Sequence, residues 1–375
     1  MSAFSIIEVS EKSLPGGERR CAGNMDSDQI DSGQTQPSPS TAPDNRWQAT
    51  APDFARLRAG PVFSCLDELA VLQLEGPDAI SFFHAQVTAD IAAMTPASWQ
   101  MGGYCTPKGR LLAVFEAWRW ESGLRMILPA NIAASTLRRL SMFVLRSKVR
   151  ITDVTSEWTA LAVFGAGSAR LLGSLGLDVP DGPGRCTVLA GDGRLAARPH
   201  GANCAERFLL VIPAQERESW TDRLAAAASA GAQVAPSLWW WSQVDAAVPA
   251  VFESTRELFV PQAVNLELVE GVSFRKGCYP GQEIVARSQY LGKLRRRLML
   301  GHAIEIGAGG DVFHSEAPNP VGRIVMAATA PQGGWDLLFE CPTDKTEHGS
   351  LHAGDANGPT IEVHALPYPI FDPTA

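Results

Sequence analysis

The residues best equipped for chemistry lie in one stretch, FRKGCYPGQEIVAR, at positions 274–287. Gly277 relieves the backbone just before Cys278. Pro280-Gly281 suits the central positions of a type II turn, where Pro fixes φ and Gly accepts a positive one. QEIVARSQYL then starts a helix, with Gly292 as its left-handed cap. Cys278 is thereby expected just ahead of a helix N-terminus and beside Lys276. Both the dipole and the ammonium favour the thiolate, the form that attacks electrophiles or binds metal. Spacing alone leaves two readings open: a reactive thiolate, or a small buried hydrophobe on a Gly/Pro connection. No His or Asn partner of a protease-like site stands nearby. Glu283 and Arg287, four residues apart on one helix, are explained equally well as a surface pair.

Composition limits what else the chain does. Its net charge is -8 over 375 residues, which argues against sequence-independent nucleic-acid binding through a broad basic face and leaves room for a local basic groove. The seven cysteines are far apart and form no CxxC pair, so a zinc ribbon is not expected and no metal ligands are assigned. An odd count without framework spacing suggests reduced thiols in a cytosol. No apolar run approaches the roughly 20 residues of a membrane span, and the first residues carry no secretory pattern.

The elements that must hold the motif follow from periodicity. Residues 1–53 are Ser-, Gln-, Asp- and Pro-rich and are expected to be disordered; Met25 is an alternative start to Met1. From Phe54 strands alternate with helices through about residue 235, hairpins included, which argues α+β units built from mixed sheets. Ile80, Phe83, Val87 and Ile91 mark one apolar face of an early helix. After Leu298 short strands separated by Gly/Pro turns indicate a small β-barrel. The expected division is 1–53, a core at 54–297 with subdomains near 54–155, 156–245 and 246–297, and a barrel at 298–375.

KGCYPGQE, Lys276 to Glu283, resembles the signature of the YgfZ family of folate-binding proteins, which are similar to the glycine-cleavage T-protein. GPDAISFFHAQVTADI, YCTPKGRLLAVF, RSKVRI, AERFLLV, VPQAVNLELVEGVSFRKGCY and a closing LPY resemble family segments in the same order. The resemblance implies an aminomethyltransferase-like ring of α/β domains around a central cavity, with a C-terminal barrel. It also implies tetrahydrofolate or a one-carbon derivative as cofactor, and support of iron–sulfur enzymes, including those that methylthiolate tRNA. Folate and iron–sulfur proteins or their assembly factors are then the partners, with transient cluster contact and direct tRNA contact as further expectations.

Carried over residue by residue, Lys276, Gly277, Cys278, Tyr279, Gly281, Gln282 and Glu283 match the signature. Cys278 would be the reactive or metal-touching group, and Lys276 would lower its pKa or hold an anion. Trp239 resembles an aromatic of the folate pocket; if SLWWWSQ is a strand, Trp239 and Trp241 share a face and Trp240 takes the other. Two departures stand out. Ala113 and Val114 occupy the places of the T-protein's acidic pair, which argues against an active aminomethyltransferase. Leu69 stands where some relatives carry a tryptophan, which weakens the case for folate. Lys108 and His84 are read as solvated or capping residues and GAGSAR as a packing turn; the basic run Arg295 to Arg297 is read either as a solvated strand face or as a contact for tRNA or an acidic partner. Three functions compete: a folate-binding accessory protein, an altered one-carbon transferase, and a scaffold for cluster donors.

Overall fold

The computed structural model describes residues 44–121, 123–290, 295–306 and 310–370, with only the backbone of 288–290. Gly292 and most of the N-terminal extension lie outside the described residues.

The strand–helix alternation resolves into two five-stranded sheets. The first orders Trp99–Cys105, Leu111–Trp120, Gly123–Pro129, Leu69–Glu75 and Arg150–Asp153; the second orders Val62–Cys65, Trp158–Phe164, Arg207–Pro213, Arg194–Ala197 and Cys186–Val188. The ladders between these strands are all antiparallel, where mixed sheets were expected. Strands Gly123–Pro129, Trp158–Phe164 and Arg207–Pro213 are buried along their whole length. Cover on both faces explains why they read as continuous apolar runs without alternation.

The expected barrel is present. Strands Arg296–Ala303, Asp311–His314, Gly322–Thr329, Trp335–Pro342, Leu351–Ala353 and Thr360–His364 form a closed ring, because Gly322–Thr329 also pairs with Trp335–Pro342. Closure removes the exposed sheet edges, and Met299, Val312, Phe339 and Ile361 belong to its core.

Four expectations change. The subdomain cut near residue 155 is crossed, since Val62–Cys65 pairs with Trp158–Phe164. Order begins before Phe54: Arg46–Trp47 adds in parallel to the barrel strand Gly322–Thr329. Thr50 and Asp53 then form a capping box at the start of helix Ala51–Ala59. The early helix stops at His84; Val87 and Ile91 are buried from the loop beyond it, with Val87 bridged to Tyr104. SLWWWSQ is a helix, Pro236–Asp245, opened by Pro236.

In that helix consecutive tryptophans point about 100° apart, so each meets a different partner. Trp239 packs edge-on to Phe164 and Trp240 stacks on Trp47 at 4.7 Å. Trp241 meets Phe54 edge-on and donates from Nε1 to Asp336 of the barrel at 2.8 Å. A helix buried on all sides shows no amphipathic period.

Candidate functional site

The motif loop is built as its residue types require. Gly281 has φ +83°, and the Gln282 N–H donates to the Tyr279 carbonyl at 3.1 Å. This is a type II turn with Gly at its third position. It leads into the helix Gln282–Tyr290. A turn at residues 106–109 supports the loop from beneath. Gly281 and Gly109 lie so close that a β-carbon on Gly281 would sit 2.5 Å from the Thr106 carbonyl oxygen and 2.7 Å from Gly109. Gln262 ties down the helix by donating from Nε2 to the Val285 carbonyl at 2.6 Å. Gly277 is different: open space surrounds it and its φ is not positive, so its backbone does not require glycine.

Tyr279 and Lys276 face inward. Burial pushes the Tyr279 phenol upward, and the neighbouring Cys105 adds to the effect. The Lys276 ammonium lies 5.1 Å from the centre of the Tyr279 ring and donates to the carbonyls of His84 and Val87, the latter at 2.5 Å. Burial lowers its pKa to about 8, partly opposed by Asp90. The ammonium expected beside the thiol is thus committed to the end of helix Ala79–His84, where carbonyls attract cations. Its role here is to anchor the loop.

Cys278 remains exposed. The other described cysteines are buried or, for Cys65, half-buried. Burial pushes the thiols of Cys105 and Cys341 up to about 12, and those of Cys186 and Cys204 to about 11. Cys278 is therefore the most exposed of the described thiols. No group of three His, Cys, Asp or Glu side chains suited to a metal ion occurs among the described residues.

Trp239 does not share this site. It lines a separate crevice with Leu69, Val114, Glu116, Trp240 and Gln243. Glu116 was overlooked in the sequence, although a lone carboxylate in LLAVFEAW is a visible break in an apolar strand. It pairs with the buried Arg198 and accepts from Trp99 Nε1. Arg198 Nε and Nη2 and Trp240 Nε1 are buried donors without partners. Of these residues Trp240 lines the crevice, and its indole donor suits a heterocycle rich in acceptors, but the space does not. The crevice holds about 30 Å³, room for about one water, whereas ligand pockets run to about 300–1,000 Å³. The residues as packed do not fit a folate.

Ala113 and Val114 are both buried on the strand Leu111–Trp120. Glu283 and Arg287 are exposed and form no ion pair with each other. Arg287 instead lines a cleft of about 870 Å³ between the motif helix and the barrel. The basic run at 295–297 is not one solvated face: Arg296 binds Glu340, and the buried Arg297 pairs with Glu267. GAGSAR is the packing turn expected, Gly165 lying against Leu57 and Gly60. No described helix is long and apolar enough to cross a membrane.

No family model matches the chain. It is 29% identical over 329 residues to a protein of Pectobacterium carotovorum named tRNA-modifying protein YgfZ, covering 86% of this chain and 96% of that one. Relatives of the same name include those of Edwardsiella ictaluri (29%, 81% and 91%) and Yersinia pestis (27%, 82% and 92%). Among solved structures, the glycine cleavage aminomethyltransferase T of Bartonella henselae superposes with a TM-score of 0.64 at 15% identity, over 84% of this chain and 88% of that one. That likeness shows the aminomethyltransferase-like fold.

Proposed function

From the premise that this chain is a relative of the YgfZ proteins, we propose that it is an accessory protein of tRNA modification. It acts by supporting the iron–sulfur enzymes that carry out methylthiolation, and Cys278 is its chemical group. The observation that carries this reading is the exposed thiol of Cys278 on a loop fixed from two sides, by Gly281 on Gly109 and by Lys276 on the carbonyls of His84 and Val87.

The iron–sulfur cluster is cargo here. Cys278 offers one thiolate to a cluster iron and releases its proton as it binds. Clusters usually take four thiolates, so the client or donor protein supplies the others. The motif residues position the sulfur: Tyr279 and Lys276 point into the protein, while the turn at Pro280-Gly281 presents Cys278 outward. No step passes through folate, because the crevice at Trp239 does not fit it.

The altered one-carbon transferase is the weaker reading. It lacks a carboxylate at Ala113 and Val114, and the crevice at Trp239 as packed is too small for its cofactor. The scaffold reading differs in one respect, since it needs no thiol.

Complementation separates them. In a strain lacking its own YgfZ-type protein, wild type restores tRNA methylthiolation and the activity of a [4Fe–4S] dehydratase, and Cys278→Ala at equal abundance does not. Equal rescue by both proteins would remove Cys278 from the mechanism and favour the scaffold.

A further inference from the structure

The cleft beside the motif helix concentrates positive charge in an acidic protein. Arg110, Arg287, Arg295, Arg296 and Arg323 line it, together with the carboxylates Asp311 and Glu340. Arg323 is held by Asp311 at 2.7 Å and Arg296 by Glu340 at 2.8 Å. Arg110 donates to the Leu258 carbonyl and makes no ion pair among the described residues. Arg287 and Arg295 are exposed and make no ion pair among the described residues. Five guanidiniums against two carboxylates leave three positive charges at the cleft wall.

We propose that this cleft binds the phosphodiester backbone of an RNA strand, which is the substrate class of the role proposed above and rests on that reading. The cations come from four places in the fold: the turn before Leu111–Trp120, the motif helix, the first barrel strand with the residue before it, and the strand Gly322–Thr329. Charges spread along a cleft of about 870 Å³ suit successive phosphates. A mononucleotide site is built differently, from a glycine-rich turn and a helix N-terminus converging on one phosphate group; the lining holds a single glycine, Gly322, within a strand. The helix that carries Arg287 and Ile284 into the cleft begins four residues after Cys278. An RNA strand seated here lies beside the loop that bears the thiol.

The test is fluorescence anisotropy with the full chain and a labelled single-stranded 12-mer RNA over a salt series. Three net charges give a slope of log affinity against log salt of about −2. In Arg287→Gln/Arg295→Gln the slope falls to about −0.7, and affinity at low salt drops about tenfold. Both side chains are exposed and make no ion pair among the described residues, so the variant keeps its circular dichroism. A control, Arg146→Gln/Arg170→Gln, removes the same charge elsewhere and binds as wild type. The proposal fails if the wild type does not bind, or if both double variants bind alike. It also fails if ATP binds alone and displaces the RNA, with both effects lost in the Arg287 variant, because the cleft is then a free-nucleotide site. Rescue of methylthiolation is scored separately. RNA binding through these arginines without rescue refutes the accessory role, and rescue without RNA binding refutes the cleft.

Discussion

Gly281 and Gly109 meet backbone to backbone, and the approach leaves no room for a side chain on Gly281. A β-carbon on Gly281 would stand 2.7 Å from both the Cα and the N of Gly109. Both residues have positive φ, +83° and +70°. The sharpest constraint on the cysteine loop thus comes from a turn some 170 positions earlier in the chain. Gly281→Ala should destabilise the protein by about 2–4 kcal/mol, combining left-handed strain with displacement of a neighbouring backbone. Gly277→Ala, in open space, should stay within about 0.5 kcal/mol of wild type. Urea unfolding followed by tryptophan fluorescence measures both. Equal stability of the two variants would show that the loops do not touch.

Thiol accessibility gives a second check. Brief treatment of the native protein with iodoacetamide, followed by peptide mass mapping, should modify Cys278 first among Cys65, Cys105, Cys186, Cys204, Cys278 and Cys341. The difference should exceed about tenfold in rate, because burial covers Cys105, Cys186, Cys204 and Cys341 and raises their thiol pKa, and Cys65 is half-covered. Uniform labelling would mean that the loop is not the exposed thiol site described.

Lys276 yields a pH dependence with a definite sign. Its folded pKa of about 8 lies below the ordinary 10.5 because the ammonium is buried. Between those values the unfolded chain holds the proton and the folded chain releases it, so stability rises with pH. Lys276→Met removes this contribution. The stability of wild type relative to the variant should therefore grow as pH rises from about 8 to 10.5, and should be flat below about 7. Chemical unfolding at four pH values decides it; a difference independent of pH would place the amine in water.

The narrow crevice predicts a weak response to folate. Titration with 5-formyltetrahydrofolate should give no saturable quenching of tryptophan fluorescence below about 1 mM, since the space at Trp239 and Trp240 is about 30 Å³. Saturable quenching that is lost in Trp239→Ala would show that the helix Pro236–Asp245 moves aside and would restore folate to the mechanism.

Much of this was legible from local pattern. The barrel showed in its short strands and Gly/Pro turns, and the motif helix in its turn and its first residues. The type II turn followed from Pro280-Gly281 alone. Other features depend on distant partners. The tryptophan helix shows no helical period, because aromatic residues favour strands and a fully buried helix has no polar face, so its sequence is equally compatible with a strand. Lys276 looked like a neighbour of Cys278 because sequence shows adjacency and not direction; its partners lie 189 and 192 positions away. The arginine cleft was invisible because four separate segments build it. Residues Asp44 to Asp53 were lost in a polar tract, although Thr50-Ala-Pro-Asp53 is itself a helix-start signal.

That early segment has a consequence for biosynthesis. Asn45 donates to the Val325 carbonyl, 280 positions later, and Trp47 stacks on Trp240. On the ribosome Asn45 and Trp47 therefore wait, with their apolar surface uncovered, until the strand Gly322–Thr329 has left the exit tunnel. The Arg46–Trp47 segment is among the last contacts to close although it is among the first made. Chaperone occupancy of the nascent chain should persist until the barrel is complete.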